Sequence, residues 1–244
     1  MKVALITGAS GAIGCETALK FINDGYFTVG QFNNGGDRIE AFVSALKNEN
    51  KSDYFFPFRA DLKNAKDCAA LAEFTLENFG HTDAFVSVAG TDVYKLCTET
   101  TEKEWDDIFS VNTKSAFLLT KSLLPSMIER KKGALLYVSS IWGVSGACME
   151  TAYSASKAAL IGFCKAIAKE VAPSGITANC VCPGVIDTPM NARFTAEETA
   201  ELIERTPLGR LGTAKEIAEL IFFLCTGAPF VTGQAITADG GFIL

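Results

Sequence analysis

The sequence has few of the residues on which metal sites and nucleic-acid sites depend. Its 244 residues include a single histidine, His81, and carry a formal net charge of −6. Nucleic-acid binding normally shows as a clustered positive patch, but the longest basic run here is Arg130–Lys132. A nucleic-acid-binding protein and a histidine-based metal enzyme are therefore both poorly supported.

Long hydrophobic runs and secretion signals are also missing. No segment is apolar over the roughly 20 residues that a transmembrane helix needs. The opening MKVALITG leads directly into a strand pattern, without the apolar region and cleavage site of a signal peptide. The eight cysteines form no CxxC motif, and we expect them to be reduced thiols packed as small hydrophobic residues. These features predict a cytoplasmic protein.

Short apolar segments alternate with longer helical patterns along the chain. Strands are predicted near residues 3–7, 27–32, 54–58, 84–89, 134–139, 176–182 and 235–239. Helices are predicted near residues 12–26, 37–50, 64–79, 101–129, 152–171, 196–205 and 213–226. Strands that are apolar throughout indicate a parallel sheet covered on both faces. We predict one α/β domain over residues 1–244, a Rossmann-type doubly wound sheet of about seven strands.

A glycine-rich turn separates the first predicted strand from the first predicted helix. In VALITGASGAIG, residues 3–14, glycine permits a tight turn and close approach of a pyrophosphate, whose charge the helix N-terminus favours. The strand before and the helix after make this more specific than a lone glycine motif. A purely structural glycine-rich connection is the alternative. The predicted cofactor contacts are Gly8, Ser10, Gly11, Ile13 and Gly14.

The end of the second strand bears on the choice of dinucleotide. It reads QFNNGG, residues 31–36, with no carboxylate before Asp37. NAD sites usually place an acid here for the ribose 2′-hydroxyl, and its absence removes a group that would repel a 2′-phosphate. Asn33 and Asn34, with Arg38 on the next helix, can contact that phosphate. This favours NADP(H) over NAD(H).

The segment after the third strand, ADL, offers a contact to the adenine. Asp61 can accept a hydrogen bond from the adenine amine, and we also place its neighbour Leu62 among the cofactor contacts. A helix N-cap is an equal interpretation of Asp61.

The segment YVSSIWGVSGACMETAYSASKAALIGF, residues 137–163, combines a strand, a serine-bearing loop and a helix. Tyr153 and Lys157 are four residues apart and lie on one helix face. A phenol is a poor acid at neutral pH, but a fixed ammonium nearby favours the phenolate and lowers the pKa. A serine hydroxyl from the loop can hold a carbonyl oxygen beside the phenol. These groups suit reduction of a ketone, with an exposed Tyr–Lys helix pair as the alternative.

Taken together, these segments resemble the short-chain dehydrogenase/reductases over essentially the whole chain, and most closely the 3-oxoacyl-(acyl carrier protein) reductase branch. The segments that carry the resemblance are TGASGAIG, VNT (111–113), SS (139–140), YSASK, PGVIDT (183–188), GRLGT (209–213) and TGQAITADGG (232–241). It implies NADPH-dependent reduction of a 3-oxoacyl thioester carried by acyl carrier protein. It also implies a homotetramer and a substrate lid near residues 189–206.

The resemblance also assigns roles to residues. Tyr153 would be the general acid, Lys157 would lower its pKa and hold the nicotinamide ribose, Ser140 would orient the carbonyl, and Asn112 would hold a water in a proton relay. Further cofactor contacts would be Ala89, Gly90, Pro183, Gly184, Ile186 and Thr188.

Some positions depart from the family pattern. Ala12 stands where the glycine motif usually has its second glycine, and Ser87 and Val88 replace two asparagines. Lys131 stands near one of the basic positions that hold a carrier protein, but Ser174 stands where an arginine is common. The last difference counts against carrier-protein recognition.

The loop before Tyr153 suggests a second substrate. Trp142, Cys148 and Met149 can wall a substrate pocket, and Glu150 can meet a cationic substrate, with a solvated loop glutamate as the alternative. This combination resembles reductases of a 5-aminopentanone group on elongation factor P, or of another small polar ketone. A non-catalytic NADP(H)-sensing scaffold is a third hypothesis. The intact set of Ser140, Tyr153 and Lys157 argues against it.

Overall fold

Seven parallel strands form one sheet in the order β3-β2-β1-β4-β5-β6-β7, in a computed structural model that describes residues 1–191 and 194–243. The strands are β1 (Lys2–Thr7), β2 (Tyr26–Phe32), β3 (Phe55–Arg59), β4 (Ala84–Ser87), β5 (Gly133–Val138), β6 (Ile176–Pro183) and β7 (Ala235–Ala238). The predicted α/β, doubly wound fold is therefore confirmed.

Helices cover both faces of the sheet. They are α1 (Ala12–Asn23), α2 (Gly36–Asn48), α3 (Ala65–Phe79), α4 (Glu102–Phe109), α5 (Ser115–Arg130), α6 (Ile141–Ser145), α7 (Thr151–Val171), α8 (Ala196–Glu204) and α9 (Ala214–Thr226). On β1, Ala4 and Ile6 belong to the core under α1, α2 and α9, whereas Leu5 belongs to the core under α3, α5 and α7. This alternation explains why the strands are apolar throughout.

The strand order reverses between β1 and β4, which pair side by side. In open α/β sheets, ligands bind in the crevice outside the carboxyl ends of the strands at such a switch point. The turns that follow β1, β4, β5 and β6 therefore meet at one edge of the sheet, where the glycine turn and the serine loop lie.

One predicted helix is wrong in detail. The helix expected over residues 101–129 is divided into α4 and α5 by a π-helical segment, Ser110–Lys114. Its wider turn places Asn112 inside the protein, where the side chain bonds Thr91 and Ser156. These contacts are tertiary, so the local helical pattern does not reveal them. The short helix α6 was also not predicted.

A buried carboxylate anchors the opposite edge of the sheet. The Asp83 carboxylate accepts hydrogen bonds from the Val3 amide at 2.9 Å and from Arg130 Nη2 at 2.9 Å, with Lys132 Nζ at 3.5 Å. His81 Nε2 lies 3.2 Å away. Burial raises the pKa of Asp83, but the Val3 amide and the Arg130 guanidinium outweigh burial and hold it below its ordinary value. The cluster joins β1, β4 and the end of α5.

We expect Asp83→Asn to lower the free energy of unfolding by about 2 kcal/mol at neutral pH, because it leaves Arg130 without its carboxylate. A lowered carboxyl pKa stabilises the fold above the unfolded value, and this stabilisation is lost as pH falls through the folded value. The difference between wild type and variant should therefore shrink below about pH 4. Urea unfolding across pH measures it, with exposed Asp53→Asn as control. Equal pH dependence of both variants would contradict this account.

Candidate active site

Two adjoining cavities lie at the carboxyl edge of the sheet. One has a volume of about 850 Å³ and is lined by the glycine turn after β1 and by the ends of β2, β3 and β4. The other, of about 450 Å³, is lined by Ser140, Tyr153 and Lys157. Thr188 lines both cavities. The first has the position of a dinucleotide site, and the second places the predicted reactive groups beside it.

The turn after β1 leaves no room for a side chain at Gly8 or Gly14. Gly8 has φ +69°, and a Cβ there would lie 2.9 Å from the backbone of Ala89. A Cβ on Gly14 would collide with the Gly8 carbonyl oxygen. Helix α1 has no side-chain hydrogen bond at its N-cap, Gly11. The first amides of the helix are thus available to an anion, and the turn fits a pyrophosphate.

Two polar residues that sequence reasoning missed hold this turn. Gln31 is 2% exposed; its Oε1 accepts from the Gly8 amide at 3.0 Å and its Nε2 donates to the Ala60 carbonyl at 2.8 Å. Thr7 Oγ1 accepts from the amides of Val88 and Ala89, each at 3.1 Å. A polar residue at the end of an otherwise apolar strand was the available signal, at both positions.

Asn33, Asn34 and Arg38 line the far end of the larger cavity. The Ser10 hydroxyl donates to the Asn34 carbonyl at 2.9 Å, and the Arg38 guanidinium lies over Gly35. Arg59, which sequence reasoning missed, donates from Nε to the Asn33 carbonyl at 3.2 Å. Two guanidinium groups therefore flank the loop that follows β2.

Asp61 and Leu62 line the same cavity. The Asp61 carboxylate accepts a hydrogen bond from the Lys63 amide at 3.1 Å, and this bond closes a local turn. Asn64, not Asp61, is the N-cap residue of α3. The N-cap interpretation of Asp61 is therefore wrong.

Lys157 is buried at the base of the smaller cavity, with 2% exposure. Its Nζ donates to the Val138 carbonyl at 2.9 Å and lies 5.6 Å from the centre of the Tyr153 ring. Burial lowers the pKa of Lys157 to about 8, although Cys180, Cys182 and Asp92 oppose the shift. The ammonium and the phenol thus share one wall of the cavity.

Asn112 links this wall to the loop after β4. Its Oδ1 accepts from the Thr91 amide at 2.8 Å, and its Nδ2 donates to the Thr91 carbonyl and to Ser156 Oγ, each at 2.9 Å. A Cβ on Gly90 would lie 3.1 Å from Lys157 Nζ and 3.5 Å from Asn112 Oδ1. The close approach of this loop to the lysine explains the glycine.

Ser140 begins α6. Its Oγ accepts from the Trp142 amide at 3.1 Å, and the residue is 7% exposed. This bond orients the side chain of Ser140, which lines the smaller cavity.

The structure brings only some of the predicted substrate-wall residues to the smaller cavity. Trp142, Cys148 and Glu150 line the smaller cavity, but Met149 lies outside its lining. The Met149 backbone is left-handed at φ +63°, and its carbonyl accepts from the Lys95 amide at 2.8 Å. This bond turns the loop, so that residues on either side of Met149 line the cavity. Glu150 is 5% exposed, so the solvated-loop interpretation is wrong.

The loop after β6 completes the site. Pro183, Gly184 and Ile186 line the smaller cavity, and a Cβ on Gly184 would lie 2.6 Å from Asp239 Cα. Phe194, Leu202 and Arg205 close the outer side of the cavity, from within the predicted lid over 189–206. Positions 192 and 193 of that lid lie outside the described residues.

Other kinds of site find no support in the part of the chain that the structure describes. No group of three or more His, Cys, Asp or Glu side chains there is arranged to hold a metal ion. Within the same residues, no helix is both long and apolar enough to cross a membrane.

Comparison with known proteins agrees with this geometry. A sequence model described as short chain dehydrogenase matches residues 2–199. A 3-oxoacyl-[acyl-carrier-protein] reductase FabG of Thermotoga maritima is 34% identical over all of this chain and 98% of its own length. The FabG of Buchnera aphidicola is 32% identical over 98% of this chain and 96% of its own. An uncharacterized oxidoreductase, YmfI, of Bacillus subtilis is 36% identical over 98% of both chains.

These matches cover the glycine turn, the serine loop and helix α7 together. They support an oxidoreductase with a nicotinamide cofactor, for which the larger cavity has the required glycine turn and helix N-terminus. The chain belongs to the short-chain dehydrogenase family.

Proposed function

We propose that this protein reduces a ketone to a secondary alcohol with NADPH, and that the ketone is a 3-oxoacyl thioester. The observation that carries the proposal is the smaller cavity. There Ser140, Tyr153 and Lys157 line one space, directly beside the glycine turn that fits a dinucleotide.

Each of these residues has a role in the proposed reduction. When bound, the reduced nicotinamide supplies the hydride. The Ser140 hydroxyl holds the carbonyl oxygen, and the Tyr153 hydroxyl gives that oxygen its proton as negative charge develops. The Lys157 ammonium favours loss of the Tyr153 proton because it is a positive charge held in a buried position. Asn112 keeps the loop after β4 against this wall.

The preference for NADP(H) is supported by the larger cavity. The loop after β2 carries Asn33 and Asn34 and no acid, while Arg38 and Arg59 lie beside it. Guanidinium groups suit a phosphate because they donate several hydrogen bonds in one plane. They would hold the 2′-phosphate that distinguishes NADP(H) from NAD(H).

The 3-oxoacyl substrate is supported by the two reductases named for that substrate, which align along nearly all of this chain. A carrier-borne substrate needs a basic surface for an acidic carrier. Lys131 supplies one such charge, and its carbonyl lies against Gly175, next to Ser174. We propose acyl carrier protein as the partner. Its contact here would rest on one basic residue, Lys131, rather than on a pair.

We also propose a cytoplasmic homotetramer. Phe117 on α5 is 46% exposed and packs edge-on against Phe163 of α7, with ring centres 6.3 Å apart. Phe223 on α9 and Phe230 near the C-terminal segment are exposed as well. Contacts between copies through these helices would cover this apolar surface.

A second candidate substrate is favoured by Glu150. This carboxylate is 5% exposed and lines the cavity three residues before Tyr153. Asp92 and the aromatic side chains of Tyr94 and Trp142 line the same cavity, and carboxylates with aromatic faces suit an ammonium group. A 5-aminopentanone group on elongation factor P is a ketone of this kind, as are small amino ketones.

Tyr153→Phe should lower kcat with a short 3-oxoacyl thioester by at least about 100-fold, because the variant keeps the ring and loses the proton donor. NADPH oxidation followed at 340 nm measures this, and NADPH affinity should change little. Tyr54→Phe, remote from both cavities, is the matched control. Turnover by Tyr153→Phe near the wild-type rate would refute the assigned acid. Cofactor binding with no turnover of any ketone would favour the sensing scaffold.

Arg38→Ala should raise the KM for NADPH about tenfold and leave the KM for NADH nearly unchanged, because only NADPH carries the 2′-phosphate. Initial rates with each cofactor at a fixed ketone concentration test this. Arg210→Ala removes an exposed guanidinium that pairs with Glu216 outside the cavities and serves as control. An equal change with both cofactors would exclude Arg38 as the phosphate contact.

Glu150→Gln distinguishes the two substrate classes. A matched pair of ketones is (4-oxopentyl)trimethylammonium and its neutral carbon isostere, 6,6-dimethylheptan-2-one. If the substrate is cationic, wild type should prefer the ammonium ketone in kcat/KM by about tenfold, and Glu150→Gln should remove most of that preference. Asp187→Asn, an exposed carboxylate beside the lid, is the control. Equal kcat/KM for both ketones in wild type would reject the amino ketone.

A further inference from the structure

A pair of hydrogen bonds ties Lys157 to the end of β5 from two directions. The Lys157 ammonium donates to the carbonyl of Val138 at 2.9 Å. The hydroxyl of the next residue, Ser139, donates to the backbone carbonyl of Lys157 at 2.8 Å. Ser139 is 3% exposed. Lys157 of α7 is thus held by two consecutive residues at the end of β5: Val138 binds its ammonium group, and Ser139 binds its main-chain carbonyl.

Helix α6 is packed directly onto this pair. A Cβ on Gly143 would lie 2.7 Å from Ser139 Oγ, 2.8 Å from the Lys157 carbonyl carbon and 2.9 Å from Lys157 Cβ. Ser140 is the N-cap residue of the same helix. The contact of α6 with Ser139 and Lys157 therefore fixes where the Ser140 hydroxyl stands relative to the lysine.

Apart from these bonds, the surroundings of Lys157 give its ammonium group little hydration. The titratable groups that face it are Tyr153, Asp92 and the thiols of Cys180 and Cys182. Lys157 itself has a pKa lowered to about 8 by burial. Such a shift persists only while water is kept from the ammonium.

We infer that Ser139 is a positioning residue for the proposed reduction: its hydroxyl holds the main chain of Lys157 so that the ammonium stays dry, bonded to Val138 and beside Tyr153. The inference rests on the proposed function for the role of Lys157. Loss of the hydroxyl lets α7 shift from β5, admits water to the ammonium and separates it from Tyr153 and Ser140. Ser139 lines the smaller cavity, but its hydroxyl hydrogen is donated to the Lys157 carbonyl and not to the ketone.

The experiment combines kinetics with a titration that needs no turnover. In protein labelled with ¹³C-lysine, the Lys157 resonance, assigned by its absence in Lys157→Arg, reports the pKa directly. Wild type should titrate near pH 8, and Ser139→Ala should titrate about one unit higher. In the same variant kcat should fall about tenfold or more, with the NADPH KM nearly unchanged. The basic limb of the kcat profile should move upward with the lysine.

Control variants separate positioning from general loss of structure. Ser139→Thr retains the hydroxyl and should restore both the titration and kcat. Ser126→Ala, which removes an ordinary helix hydroxyl bonded to Leu123, should change neither. If Ser139→Ala does not fold, Gly143→Ala disturbs the same contact from the other side and should show the same upward shift.

The inference is overturned if Ser139→Ala keeps the wild-type lysine titration and a kcat within about twofold of wild type. A wild-type protein that reduces no ketone would instead sink the proposed function, and the lysine titration would still decide whether Ser139 holds Lys157.

Discussion

The buried ammonium of Lys157 is the constraint on which the site depends. A cation at 2% exposure is costly unless it is hydrogen bonded, and here the Val138 carbonyl accepts that bond at the end of β5. The neighbouring chain keeps this cation in place and away from water. Gly90 and Gly143 have no side chain because the backbone passes against the lysine, and α6 and α7 pack at that point. The proposed acid, Tyr153, gains its electrostatic partner from the same arrangement.

The sheet topology brings the glycine turn and Lys157 to the same edge of the sheet. The order reverses between β1 and β4, so the loops after β1, β4, β5 and β6 converge on one edge. Gln31 and Thr7 hold the first of these loops through hydrogen bonds to backbone amides. These hydrogen bonds fix the glycine turn at the edge of the larger cavity, and Ser140, Tyr153 and Lys157 line the adjoining smaller one.

Much of the fold could be predicted because local sequence patterns determine it. These patterns are apolar strands, a glycine turn between strand and helix, and a tyrosine and lysine one helical turn apart. The rest depends on tertiary contacts. The π-helical segment is stabilised by the bonds of Asn112 across to Thr91 and Ser156. The burial of Glu150 follows from the left-handed turn at Met149 and its bond to Lys95. Gln31, Arg59 and Ser139 act through partners 18 or more positions away along the chain, so no local spacing in the sequence reveals these contacts.

The central claim is that a positive charge at position 157 drives proton donation to the ketone, and Lys157→Ala with added methylammonium tests it most directly. The variant leaves a cavity beside the Val138 carbonyl that a small ammonium ion can enter from the substrate side. The account predicts that Lys157→Ala loses at least about 99% of ketone turnover and that methylammonium, but not methanol at the same concentration, restores part of it. Turnover retained without any amine, or restored equally by methanol, would contradict the account.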